Sequence, residues 1–192
     1  MAARSSYYQS LSDAALVRET GAGATGAFDE LYSRYGQKLF SYFFRMLWKN
    51  KELAEDQTQE LFLKVLRHAG SFDAERPFST WLYSMAHNMC KNEYRKEEVR
   101  QRPAAIAAGN DRPQTEKALD LKRFGTAVSK AIANLSEEKH SLFVLRFQEQ
   151  LSVPEISAIM QMPEGTVKSR IFYLLKELKE ELHLFKNIYL YP

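Results

Sequence analysis

A chain of 192 residues, 45% hydrophobic and carrying a formal net charge of +3, is sized for one or two ordinary globular domains. So mild a charge excludes a basic tail as the source of any nucleic-acid affinity. One cysteine, Cys90, excludes an intramolecular disulfide and fits a reducing compartment, and no apolar run approaches the ~20 residues of a membrane span.

The opening residues MAARSSYYQS lack the apolar core of a secretory signal, so the expectation is a cytoplasmic protein with no direct membrane insertion. No period-two run is bounded by turn signals at both ends, which argues against strands. Gly21 to Gly26 reads as a loop. After it, Phe28, Leu31, Tyr32, Tyr35, Leu39, Phe43 and Leu47 recur at steps of three and four and predict a helix. A second helical stretch carries Leu53, Gln57, Leu61, Lys64 and Leu66, with Phe62 and Val65 widening its apolar face. A third carries Phe78, Trp81, Leu82, Met85, Ala86, Met89 and Cys90, with Pro77 suited to its first turn. Large apolar residues then thin out, and residues 98–115 read as a flexible linker.

Helical spacing resumes at Ala118, Leu121, Gly125, Val128 and Ile132. Ser136 is placed to cap the next helix, with Glu137 and Glu138 in its first turn and Leu142 and Leu145 on its buried side. Ser152 is placed to cap a short helix that tolerates Pro154 and buries Ile156, Ile159 and Met160. The last helix repeats Val167, Ile171, Leu174, Leu175, Leu178 and Leu182. The fold class expected is all-α: two small helical domains, 11–97 and 116–186, joined by the linker. The second is a four-helix domain with a helix-turn-helix.

The bend between the last two helices leads into Gly165-Thr166-Val167-Lys168-Ser169-Arg170. A supporting helix, a tight turn and a second helix with polar residues in its first turn are what major-groove reading requires. With Val167 and Ile171 inward, Lys168, Ser169, Phe172 and Tyr173 face outward, where lysine and serine reach base edges or phosphates and an aromatic ring meets a thymine methyl. Thr166 and Arg170 share that first turn, and Arg146 is placed as a phosphate clamp. A helical hairpin with a glycine in its turn also occurs in proteins that never touch DNA. Over 136–183, six Lys/Arg face eight Glu, so phosphate attraction alone is weak and a larger partner is needed to hold the module on DNA.

In the first domain, Phe72 lies in a loop ahead of Trp81, and Asn88, Lys91 and Arg95 follow on the helix. Aromatic rings beside amide and basic groups make a stacking platform for unpaired bases. Phe78, Trp81, Leu82 and Met85 share a stripe that reads as core, which leaves Phe72 as the better base contact. Asp56 and Glu60, four apart, put two carboxylates on one helix face. Such a pair can meet a basic or amide-rich partner helix, though by itself it is more often a solvated face.

Two other classes account for less of the chain. A helix-turn-helix regulator that dimerises through its first domain leaves the Asp56/Glu60 helix and the Phe72–Asn88 segment without a purpose. An enzyme would need a site. His87 and Cys90 lie three apart, but two ligands do not make a zinc centre, and neither a Gly-rich phosphate loop nor a nucleophile partner for the other histidines is present. No catalytic residue, metal or cofactor is expected.

At these residues the chain resembles the extracytoplasmic-function (group four) sigma factors of bacterial RNA polymerase. The resemblance runs through Ala54-Glu55-Asp56 with Gln59-Glu60-Leu61-Phe62, through Phe78-Ser79-Thr80-Trp81-Leu82-Tyr83 with Ala86 and Asn88, and through Leu151-Ser152, Glu155-Ile156, Pro163 and Gly165 to Arg170. It covers roughly residues 11–183. It implies that the first domain docks on the clamp helices of the polymerase largest subunit through Asp56, Gln59 and Glu60. It implies that Phe72 and Asn88, with Trp81, Lys91 and Arg95, meet the melted −10 element. It implies that the second domain grips the polymerase flap and reads the −35 element of promoter DNA through Lys168, Ser169, Phe172 and Tyr173, and that an anti-sigma factor holds the protein inactive. The chain departs from the family pattern at Pro154, at Met160-Gln161 where a Leu-Gly pair is frequent, and at Tyr173-Leu174. The tail from Asn187 to Pro192 has no assigned counterpart.

Overall fold

The computed structural model describes residues 7–100 and 116–183. The predicted linker beyond residue 100 and the tail after His183 lie outside the described residues. The elements in chain order are α1 (Asp13–Gly21), α2 (Thr25–Met46), α3 (Lys51–His68), a short 3-10 turn (Ala69–Ser71), α4 (Phe78–Arg100), α5 (Glu116–Ala133), α6 (Glu137–Phe143), a π-helical segment (Val144–Gln148), α7 (Val153–Met160) and α8 (Glu164–Glu181). Among the described residues there is no strand.

The first domain is a bundle of α1 to α4. Leu16 and Val17 of α1, Leu31, Leu39 and Phe43 of α2, Leu61 and Val65 of α3, and Leu82 and Ala86 of α4 are wholly enclosed. Each large side chain so buried contributes roughly 1.5–3 kcal/mol. Apolar spacing alone does not predict α1. It is capped by Ser12, whose hydroxyl accepts from the Ala15 N–H at 3.3 Å. Arg34 ties it down: its guanidinium donates to Asp13 at 2.8 Å, to Glu30 at 2.7 Å, and to the carbonyls of Leu11 and Gln9 at 3.0 and 2.9 Å.

The expected loop at Gly21–Gly26 is shorter than its glycines suggest. Only residues 22–24 separate the two helices, and Gly26 lies inside the first turn of α2. A Cβ there would fall 2.4 Å from the Tyr8 ring, so the glycine serves a close approach rather than a turn. Helix α4 continues to Arg100, three residues into the stretch expected to be linker.

The second domain buries Leu142, Val144 and Leu145 against Ile156, Ile159, Val167 and Leu174. Ser152 caps α7 as expected and forms a full capping box with Glu155, and Pro154 occupies the first turn. Ser136 stands at the α6 cap position, but its hydroxyl makes no capping bond. Leu175, expected on the apolar repeat of α8, is 46% exposed.

Cys90 is enclosed, and burial pushes its thiol well up from ordinary cysteine values. His87, one turn earlier, is also buried, and its Nδ1 has no hydrogen-bond partner. Burial, with the charge of Lys91 adding to it, lowers its pKa from 6.5 to about 4. The unfolded chain takes up this proton as pH falls through the ordinary value, while the folded chain refuses it. Stability is therefore complete above the ordinary value and is lost progressively between 6.5 and about 4. Urea unfolding at about pH 7 and about pH 5 should differ by about 2 kcal/mol through this residue, and His87→Gln should remove that part of the difference. An unchanged pH slope in the variant would contradict the assignment.

Candidate nucleic-acid interface

Two surfaces carry the residues singled out from sequence. The first is on α8. Pro163 precedes the helix and offers no side-chain cap, so the turn is closed by backbone bonds from Thr166 and Val167 to the Pro163 carbonyl at 2.9 and 3.1 Å. Val167 is fully buried and fixes the rotation of the helix. Lys168 and Ser169 are consequently exposed, and Phe172 and Tyr173 are 64% and 63% exposed, ring beside ring at 5.5 Å. Two large aromatic rings left in water side by side on one helix form the kind of apolar patch that marks an interaction surface.

The remaining members of that set are more occupied. The Ser169 hydroxyl donates back to the Gly165 or Thr166 carbonyl, at 3.0 and 3.1 Å, which leaves it as an acceptor outward. Arg170 is paired with Glu138 of α6 and braces the domain. Arg146 is half-buried and donates to the Leu151 carbonyl at 2.9 Å, so part of its guanidinium supports the loop before α7. Thr166 is half-buried.

The second surface is on α4. Trp81, Asn88, Lys91 and Arg95 follow one another at steps of seven, three and four and share one helix face roughly 20 Å long. Asn88, Lys91 and Arg95 are exposed, and Trp81 is half-buried. The loop ahead of α4 brings Phe72 to 5.3 Å from Trp81 and 5.8 Å from Phe78. Phe72 also walls an open cleft of about 430 Å³ whose lining is mostly Ala and Gly, with Arg18 at its side. Aromatic, amide and basic groups thus lie along a single line.

Behind these, α3 presents Asp56 and Gln59 exposed and Glu60 half-buried, the last 3.6 Å from Arg67. The same stripe continues at four- and three-residue steps through Leu63 and Leu66, which are 45% and 42% exposed. Apolar spacing places Leu66 in the helix but does not mark this pair as a surface. The signal lies in the sequence all the same, because Asp56, Gln59, Leu63 and Leu66 keep the spacing of one helix face. Among the described residues no group of three or more His, Cys, Asp or Glu is arranged to hold a metal ion.

Comparison with known proteins matches residues 31–100 to Sigma-70 region 2 and residues 126–178 to Sigma-70, region 4. The chain is 30% identical over 177 residues to the ECF RNA polymerase sigma factor SigW of Bacillus subtilis, covering 86% of this chain and 94% of that one. It is 34% identical over 176 residues to the ECF RNA polymerase sigma-E factor of Haemophilus influenzae, covering 85% and 92%. The chain belongs to the ECF sigma factors of RNA polymerase. This sigma factor is accordingly an initiation factor for promoter-specific transcription and not an enzyme. Among solved structures, CnrH in complex with the cytosolic domain of CnrY shares the fold, with a TM-score of 0.66 at 23% identity over 90% of this chain and 97% of that one.

The helix-turn-helix of this sigma factor closes with Gln161 in the left-handed region, at φ 54, where a side chain is strained and glycine is not. Gln161→Gly should stabilise the protein by about 0.5–1 kcal/mol in chemical unfolding. A variant less stable than the parent would show that the Gln161 side chain supplies a compensating contact.

Proposed function

We propose that this sigma factor reads a promoter at two separated places while RNA polymerase holds it there. The observation that carries this reading is one chain with two unlike faces. Helix α8 exposes Lys168, Ser169, Phe172 and Tyr173 in a form suited to a duplex groove. Helix α4 and its loop align Phe72, Trp81, Asn88, Lys91 and Arg95 in a form suited to unpaired bases. In the family's terms the first is the −35 contact and the second the −10 contact. Phe72 and Asn88 take a base out of the stack, and Lys91 and Arg95 follow the strand behind it. Arg170, paired with Glu138, serves the −35 contact mainly by holding α8 in position, while Arg146 supports the loop before α7 and the Thr166 N–H closes the turn.

The polymerase contact lies on α3. Asp56 and Gln59, with Glu60 beside them, meet polar groups of a partner helix, and Leu63 and Leu66 supply an apolar half to the same stripe. That combination suits a helix laid along a helix, as the clamp helices of the largest subunit would be. The flap is the expected partner of the second domain. The polymerase, and so this protein, works in the cytoplasm.

In-vitro transcription with core polymerase tests the assignment. Asp56→Arg should weaken core binding at least tenfold, since reversing a charge in an interface adds repulsion to the lost contact. Lys168→Ala should spare core binding and lower initiation at promoters with a −35 element by about five- to tenfold. Undiminished core binding by Asp56→Arg would remove the docking assignment.

An anti-sigma factor is the further partner proposed from family membership. Affinity capture should recover it with the tagged protein. Promoter activity that does not rise when the captured partner is deleted would count against it.

A further inference from the structure

The two halves of the chain meet at one buried carboxylate. Helix α7 packs against α4, and the π-helical segment Val144–Gln148 packs against α2. At this seam the Glu149 side chain is only 7% exposed. Arg45, at the end of α2, pairs with its Oε1, and the Tyr83 hydroxyl of α4 donates to its Oε2 at 2.5 Å. Burial, reinforced by this bond, pushes the Tyr83 phenol far above its ordinary pKa, so it remains a donor. The Tyr42 ring stands edge-on to Tyr83 at 5.4 Å and closes the inner side.

Three observations make this more than a surface pair. Taking a carboxylate out of water costs several kcal/mol unless good partners meet it. Among the described residues, the side-chain partners of Glu149 both belong to the other domain, 104 and 66 positions away. The backbone is also specialised at this point. The Glu149 N–H reaches back five residues to the Val144 carbonyl at 2.9 Å, Gln150 turns left-handed at φ 58, and the Leu151 N–H bonds the Leu145 carbonyl at 3.0 Å. A π-helical turn changes the facing of the residues after it, and such turns concentrate at functional positions.

We propose that Glu149 is a latch that holds the free chain closed, with the second domain folded onto the first, and that this closed form must open before initiation. The proposal rests on the reading that the two domains act at two promoter elements. Elements at −35 and −10 are about 25 base pairs apart, or roughly 85 Å at about 3.4 Å per pair. A compact body of this many residues has a radius of gyration of roughly 16 Å. The closed chain therefore cannot present α8 and α4 to both elements together. Every closed molecule is withdrawn from the competent pool, and apparent affinity for the polymerase–promoter assembly falls by the closed fraction. Release is accessible because the Arg45 side chain is 31% exposed, so water reaches the rim of the seam and can replace the carboxylate there.

Labels on the full chain at Lys51→Cys and Lys179→Cys, read by pulsed electron paramagnetic resonance, report the distance between domains, with the enclosed Cys90 left unlabelled. The free parent chain should give one short, narrow distance that lengthens when core polymerase is added. Glu149→Gln and Arg45→Met should each shift the free chain to a longer, broader distribution. The exchanged pair, Arg45→Glu with Glu149→Arg, should restore the short one, which loss of packing alone would not do. Glu149→Gln should also reach half-maximal initiation at a concentration about three- to tenfold lower. A free parent chain that is already long and broad, or one that stays short on adding polymerase, would overturn the latch without any variant having to fold. Single variants that fold and stay short would overturn it as well. A chain that opens as described yet fails to support initiation would instead sink the reading of function and spare the latch.

Discussion

A carboxylate shared between two domains imposes a strict condition on the whole chain. Either both partners meet it, or its desolvation goes uncompensated and the seam separates. Glu149 meets that condition in this structure through one guanidinium and one phenol. Everything else in each domain is closed within itself: α1 to α4 bury their own core, and α5 to α8 bury theirs. Only the contacts along α4 and the end of α2 decide whether the halves behave as one body. The apolar part of that seam is not directional, whereas the polar part accepts a single geometry, and so the polar part sets the arrangement.

The charge of the second domain points the same way. Six Lys/Arg against eight Glu over 136–183 cannot hold a duplex by phosphate attraction, and Arg170 and Lys139 are further engaged with Glu138 and Glu177. What α8 offers is contact at base edges from Lys168 and Ser169 and apolar contact from two exposed rings. Those groups distinguish sequences better than they generate affinity. Family membership supplies the missing term, because a sigma factor works with a polymerase far larger than itself.

Much of the local structure is legible in the sequence, because its causes are local. The Ser152 cap with Glu155, the tolerance of Pro154 in the first turn and the inward Val167 all follow from neighbours within four residues. The outward direction of Phe172 and Tyr173 follows from Val167. The resemblance to the sigma family, carried by three separated motifs, supplies the function. What is not legible is non-local. Spacing cannot say that Arg170 is engaged by Glu138, that Arg146 turns to the Leu151 carbonyl, or that Glu149 crosses to Arg45. Helix α1 escapes a reading by spacing because its first turn is fixed by Arg34, a residue in another helix. Leu63 and Leu66 escape it as surface because leucine at helical spacing is the ordinary signature of a core, and only burial separates the two cases.

The single cysteine has a consequence for how this protein meets oxidants. Oxidants attack the thiolate, and attack requires both ionisation and access. Cys90 is denied both, sealed in the first domain's interior. Among the described residues no accessible thiolate is therefore offered to peroxide or to disulfide exchange. A thiol-based redox cue has to be sensed on another molecule, because this chain's one cysteine is sealed.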